Sequence, residues 1–148
     1  MAKVVIANDH AAIEIKEKIA KHLESRGYEV VNLGVNEVES VDYPDKAEQA
    51  AAEYLKGGYE FGVLCCGTGI GISISANKVK GIFCALPQNA FAAQMAKEHN
   101  NANFLAFGGR IDYPQTVEQM MDAFIDSSYL GDRHQRRVDK MHRIDGGC

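Results

Sequence analysis

The sequence predicts a three-layer αβα sandwich on a five-stranded, mainly parallel, Rossmann-like sheet. Two observations predict this fold. Short apolar runs alternate with segments of helical periodicity along the chain, and strands separated by helices pair in parallel through right-handed crossovers. Glycines and prolines fall at the junctions, where helices stop and start. Three polar clusters also fall at the carboxyl ends of predicted strands, where open parallel sheets hold ligands. These are Asn8-Asp9-His10, Cys66-Gly67-Thr68-Gly69 and Gly108-Gly109-Arg110.

Each element follows in order. "KVVIAN" is a buried strand, and a helix near 11–26 takes its apolar positions from Ile13, Ile15, Ile19 and Leu23 before Gly27 stops it. "YEVVNLG" is the second strand. "DYPDKAEQAAAEYLKGG" opens with proline in the first turn and closes on two glycines, so it is the second helix. "FGVLCC" is the third strand, followed by a short helix after the glycines. "GIFCAL", "QNAFAAQMAKEH" and "NFLAFGG" read as strand, helix and strand. "PQTVEQMMDAFIDSSYL" is a further helix, the charged segment from Asp132 is another, and "DGGC" is a frayed end. No repeat or linker interrupts the 148 residues, so one domain is expected across 1–148, its tail from about 132 packing on a partner subunit.

Composition narrows the function classes. The chain is 46% apolar and 24% charged with a net charge of −4, which argues against nucleic acid as its partner. No segment approaches the roughly 20 apolar residues of a membrane span, and "MAKVVIANDH" lacks the apolar region of a signal peptide. Cys65, Cys66, Cys84 and Cys148 form neither a CxxC pair nor a zinc spacing. An adjacent Cys65–Cys66 bridge would be strained, so reduced thiols in a cytoplasm are expected.

The stretch "VLCCGTGIGISISANK" concentrates the chemistry. Gly67, Gly69 and Gly71 alternate at a strand-to-helix turn, where N–H groups without intervening side chains can converge on an anion. A dinucleotide loop is excluded because Ile72 stands at the third glycine position, and a Walker loop because no lysine follows at the right distance. A small anion nest beside a thiol remains. No Asp or Glu lies between Glu60 and Glu98 to oppose a thiolate at Cys66. Strand alternation turns Cys65 to the face opposite Cys66, as a small buried residue.

"CGTGIGIS" with "ANK", the early "DH", "DYP", "EHNNAN" with "AFGGR", and "RHQRRV" together resemble the ribose-5-phosphate isomerase B family, which includes relatives acting on allose and galactose 6-phosphates. The resemblance runs from Val4 to about Val138. It implies an aldose–ketose isomerase interconverting ribose 5-phosphate and ribulose 5-phosphate through an enediolate, without metal or organic cofactor. Cys66 matches the family's proton acceptor. Thr68 and the N–H groups of Gly67, Gly69, Ile70 and Gly71 match the site that stabilises the developing oxyanion. His99 matches the proton donor of ring opening, a step suited to imidazole. Asn100 would bind sugar hydroxyls, and Asp9 and His10 match a sugar- and phosphate-contacting pair. Tyr43 and Arg110 join the substrate set. Arg133 and Arg137, four residues apart, share a helix face and would converge on phosphate, while Arg136 points elsewhere. The family's site lies at a subunit interface, so a homodimer or tetramer is expected.

Each of these residues also has a bland reading. Asp9 would serve as a helix N-cap, His99 as a helix-end dipole partner, Asn100 as a turn residue, Tyr43 as packing, and the arginines as a solvated basic helix. The chain departs from the family at Ala11 and Ala12, where relatives carry glycines, at Phe83, where many carry arginine, and at Asp132 in place of glycine. These departures leave the proton-transfer set intact and bear on the substrate. Alternatives are a hexose 6-phosphate isomerase, a non-catalytic sugar-phosphate binder, and a redox protein using Cys65 and Cys66.

Overall fold

The computed structural model describes residues 1–146. Cys148 and the end of the "DGGC" segment lie outside the described residues. The strands are β1 (Lys3–Asn8), β2 (Glu29–Asn32), β3 (Tyr59–Cys66), β4 (Cys84–Ala85) and β5 (Phe104–Gly108). All pair in parallel, in the order β2-β1-β3-β5-β4. The helices are α1 (Ile13–Ser25), α2 (Tyr43–Leu55), α3 (Ile70–Asn77), α4 (Ala90–Glu98), α5 (Val117–Ile125) and α6 (Arg133–Ile144). Among the described residues no helix is long and apolar enough to cross a membrane.

Period-two alternation sends successive strand residues into two separate cores. Val4, Ile6, Val63, Cys65, Leu105 and Phe107 meet Ile19 and Leu23 of α1, Ala93 of α4 and Met120 and Phe124 of α5. Val5, Ala7, Leu64, Cys66, Phe104 and Ala106 meet Ala47 and Ala50 of α2 and Ile72 and Ala76 of α3. The three layers follow directly, and Cys65 and Cys66 sit on opposite faces. That geometry counts against a disulfide between them. Edge-on ring pairs stitch both cores, Phe61 to Phe124 at 5.3 Å and Tyr54 to Phe104 at 5.3 Å. Burying an aromatic ring such as Phe104 contributes about 1.5–3 kcal/mol. Outside the cores, Asp122 of α5 accepts from Arg26 at 2.8 Å and lies 2.6 Å from His22 Nε2, tying α1 to α5.

Several elements are shorter than the sequence pattern suggests, β4 and α5 most in proportion. β4 is two residues long rather than six. As an edge strand it has one strand neighbour, and side chains replace the other ladder: Asn77 Nδ2 donates to the Cys84 carbonyl at 2.8 Å, and Cys84 N–H donates to Asn77 Oδ1 at 2.7 Å. Phe83 N–H likewise goes to Asn103 Oδ1. α5 begins only after Thr116, whose hydroxyl and Gln119 form a reciprocal capping box, and ends at Ile125.

Candidate active site

The strand order makes β1, β3 and β5 neighbours, so their carboxyl ends meet at one edge of the sheet. The backbone locks the three ends together. Asp9 N–H donates to the Cys65 carbonyl, Gly109 N–H to the Cys66 carbonyl at 2.9 Å, and Arg110 N–H to the Gly67 carbonyl at 2.9 Å. Tyr113, whose phenol is pushed up by burial, accepts from Gly108 N–H at 2.8 Å and fixes the end of β5.

Cys66 is the last residue of β3 and is 4% exposed. Its Sγ accepts from Gly69 N–H at 3.2 Å. Gly69 is the N-cap of α3 with φ +78°, a left-handed conformation that turns its amide back onto the sulfur. Ile70 N–H reaches Thr68 Oγ1 at 3.2 Å, so two of the amides expected to face substrate are held by the loop's own side chains. Ile70 and Gly71 occupy the first turn of α3, whose N–H groups have no intrahelical acceptor. Burial pushes the thiols of Cys65 and Cys84 up, keeping them protonated.

Close contacts bring the other predicted residues of this edge to the loop. A Cβ on Gly67 would lie 3.1 Å from Arg110 Nη1 and 3.7 Å from the Ala11 side chain. A Cβ on Gly71 would lie 2.5 Å from the Tyr43 ring. Arg110, Ala11 and Tyr43 therefore ring the glycines, and glycine is what lets them approach. Asp9 is buried, and its Oδ1 accepts from Ala11 N–H at 2.9 Å. It is not the helix N-cap, because α1 starts four residues later with Ala12 in that position. His10 is exposed, and its Nδ1 accepts from Val41 N–H at 3.3 Å.

The remaining predicted residues form a second cluster at the other end of the sheet. α4 runs from the carboxyl edge back to the amino edge, so its C-cap His99 and the following Asn100 precede the start of β5. Four residue steps of β5, about 13 Å, separate Phe104 at that end from Gly108 beside Cys66. α6 brings Arg133 and Arg137, both exposed, to the His99 end, where His134 stacks on His99 with ring centroids 4.1 Å apart. The structure thus gathers Asp9, His10, Tyr43, Cys66, Gly67, Thr68, Gly69, Ile70, Gly71 and Arg110, and separately His99, Asn100, Arg133 and Arg137.

Phe83 belongs with the second group. It stacks on His142 at 4.5 Å and lines a cleft of about 410 Å³ between α6 and the sheet edge, with Asn100 at its margin. Within a single chain Phe83 therefore lies away from Ala11 and Tyr43, because β4 starts at the amino edge. Two residues escaped the sequence reading. His134 lies between the two arginines with nothing in the periodicity to mark it. Lys16, 1% exposed on α1, donates to the Val35 carbonyl at 3.0 Å and to Asn36 Oδ1 at 2.6 Å, and burial pushes its pKa down. Val35 also accepts from Asn8, so Lys16 braces the loop whose Val41 meets His10.

Residues 4–141 match the model of the ribose/galactose isomerase family. Ribose-5-phosphate isomerase B of Escherichia coli is 39% identical over 145 residues, 98% of this chain and 97% of that protein. Galactose-6-phosphate isomerase subunit LacB of Clostridium acetobutylicum is 39% identical over 137 residues, covering 93% of this chain and 79% of that protein. Among solved structures, ribose-5-phosphate isomerase B of Clostridium thermocellum superposes with a TM-score of 0.93 at 41% identity, covering 97% of each chain.

Proposed function

This chain belongs to the ribose/galactose isomerase family, and from that premise we propose that it interconverts ribose 5-phosphate and ribulose 5-phosphate. The observation that carries the chemistry is the Cys66 sulfur facing the Gly69 amide in a glycine loop at the end of β3. In the open-chain aldose Cys66 takes the C2 proton. The C–H electron pair becomes the C1–C2 double bond, and negative charge moves to O1. Thr68 and the Gly71 amide in the first turn of α3 stabilise that oxygen, each donor worth about 3–4 kcal/mol. Cys66 returns the proton to C1 while the O2 proton passes to O1, leaving the ketone at C2. The sugar supplies both the oxidised and the reduced carbon, so no external electron carrier enters the balance.

Ring opening precedes this step. His99 gives a proton to the ring oxygen as its bond to C1 breaks, and the anomeric hydroxyl releases its proton to solvent as the C1 carbonyl forms. Asp9 and Asn100 hold hydroxyl groups, and His10, Arg110, Arg133 and Arg137 receive the phosphate.

One chain holds these groups at opposite ends of its sheet, so the complete site forms in a homodimer. Cys66 and its loop come from one copy and His99, Asn100, Arg133 and Arg137 from the other. Exposed Ile70, Ile74 and Leu86 beside the loop supply an apolar rim for that contact. α6 packs toward the partner. Free Cys65, Cys66 and Cys84 suit a reducing cytoplasm.

Mixing two inactive variants tests the reading. Cys66→Ala and His99→Asn, each near-inactive on ribose 5-phosphate, should regain about a quarter of wild-type activity after exchange of subunits, since half the dimers carry one intact site of two. No recovery, with subunit exchange verified, would place the groups in one chain and sink the shared site. Similarity to a galactose-6-phosphate isomerase subunit favours a second reading, the same chemistry on a hexose 6-phosphate. A panel of ribose 5-phosphate, allose 6-phosphate and galactose 6-phosphate separates the two by kcat/KM. C2-proton exchange with solvent separates catalysis from mere binding.

A further inference from the structure

We propose that Lys16 is a positioning residue for the phosphate end of the substrate: its amine, buried beneath the arch of residues 33–42, fixes the arch that in turn holds His10. The inference rests on the reading of His10 as a phosphate contact.

Lys16 occupies a place that packing alone would give to an apolar side chain. The buried stripe of α1 is Lys16, Ile19 and Leu23, spaced as the core face of a helix, and Lys16 is 1% exposed. Burying an amine costs stability unless acceptors meet it, and burial does push Lys16 below the ordinary lysine value. Its two acceptors both lie in the arch, the Val35 carbonyl at 3.0 Å and Asn36 Oδ1 at 2.6 Å. Neither acceptor depends on the lysine. The Val35 carbonyl also accepts from Asn8 Nδ2 at 3.1 Å, and Asn36 Oδ1 from Asn32 Nδ2 at 2.9 Å. Removing the amine therefore orphans no acceptor. What the amine supplies is the position of the arch.

Upstream, Leu33 is tied to Ile6 through its N–H and to Lys46 through its carbonyl. Lys16 is the last tie from a buried side chain before the arch opens out. Glu37, Val38, Glu39 and Ser40 are exposed, Val38 at 90%. A concavity of about 380 Å³, rather than packed side chains, lies against Val35, Asn36, Glu39, Val41 and Lys46. The next hold is Val41, whose N–H donates to His10 Nδ1 at 3.3 Å. His10 is exposed, one residue past Asp9 at the carboxyl edge, and that bond restrains its ring. Where the arch leaves Lys16 thus decides where Val41 meets His10, and Lys16 acts without touching substrate.

The test separates binding from turnover. Lys16→Met keeps the apolar stem and drops the amine. It should raise KM for ribose 5-phosphate about 5- to 10-fold with kcat within about twofold of wild type. A merely structural role would lower Tm or the active fraction and leave KM alone. In a His10→Ala background the same substitution should add less than about twofold to KM, because the arch then has no ring to place. An unchanged KM in Lys16→Met, a loss confined to kcat, or full additivity with His10→Ala overturns the proposal. Should Lys16→Met fail to fold, Asn36→Ala cuts the tie from the exposed side. It should raise KM about threefold, while Asn36→Asp, which keeps the acceptor oxygen, stays within about twofold of wild type; a wild-type KM in Asn36→Ala overturns the proposal equally. If His10→Ala itself leaves KM unchanged, the phosphate reading of His10 falls and this proposal with it, whereas a sensitive His10 beside an indifferent Lys16 removes only the latter.

Discussion

Replacing Gly69 with alanine should damage stability and chemistry together, for reasons that the loop geometry separates. Gly69 sits at φ +78°, where an L side chain costs about 1–2 kcal/mol. A methyl group there would also stand 2.9 Å from the Phe107 carbonyl carbon and 3.1 Å from Gly108 N, both backbone, and 2.7 Å from Leu86 Cδ1. Leu86 can swing away. β5 cannot, because Phe107 and Gly108 are paired to Cys65 and Cys66. The loop must therefore lift and carry its amide off the Cys66 sulfur. The backbone strain alone should lower Tm by about 2–8 °C in a chain of this size. Loss of one preorganised donor should lower kcat about 10²-fold or more on ribose 5-phosphate, with KM changing less. Asn tolerates a left-handed conformation but keeps a Cβ, so Gly69→Asn should recover part of the Tm and little of the kcat. Leu86→Ala in the Gly69→Ala background should rescue neither, because the backbone contacts remain. Thermal melts at one protein concentration and steady-state kinetics read both quantities. A Gly69→Ala protein with wild-type Tm and kcat would refute the claim that this loop holds its amide on the thiol.

Other perturbations probe the remaining parts. Cys66→Ser should cost at least about 10³-fold in kcat, since a hydroxyl is a far weaker acid than a thiol, and should abolish C2-proton exchange in heavy water. Arg137→Ala should raise KM for the phosphate ester roughly 10- to 100-fold with kcat nearly preserved, the worth of a charged hydrogen bond, and an unchanged KM would remove it from the phosphate site. Gly71→Ala should displace the Tyr43 ring, and Tyr43→Ala in that background should restore turnover relative to Gly71→Ala alone; strictly additive losses would show that the two do not touch. Burial tends to raise the Asp122 carboxyl, but hydrogen bonds from His22 and Arg26 outweigh it and hold it below the ordinary value. Its stabilising contribution is thus complete above the unfolded value of about 3.9 and is lost as pH falls through the lowered folded value. The Tm gap between wild type and Asp122→Asn should accordingly be full at neutral pH and shrink in acid; a gap independent of pH would sink that assignment.

The legible part of this fold is its local grammar. Apolar runs and helical periods located the five strands and six helices found among the described residues, and Gly27 and Gly69 do take the positive φ that a stop and a loop require. The lengths of β4 and α5 were not legible. Asn77 and Asn103 shorten the first through side-chain bonds to β4 and its flank, and the Thr116–Gln119 box delays the second. Asp9 reads locally as a helix cap, yet the chain makes a turn through Ala11 before α1 begins.

Sequence by itself determined that Cys65 and Cys66 face opposite cores, because side-chain direction alternates between neighbours and needs no distant partner. It also determined a glycine loop at a strand end, because the required backbone freedom belongs to those residues. Only the tertiary structure decided that β5 lies between β3 and β4. That order sets Arg110 on Gly67 and carries His99 and Asn100 to the far end of the sheet, away from the cysteine they would serve. Strand order, and the stacking of His134 on a residue 35 positions earlier, arise from crossover handedness and from burial summed over the whole chain. No short window of residues contains either.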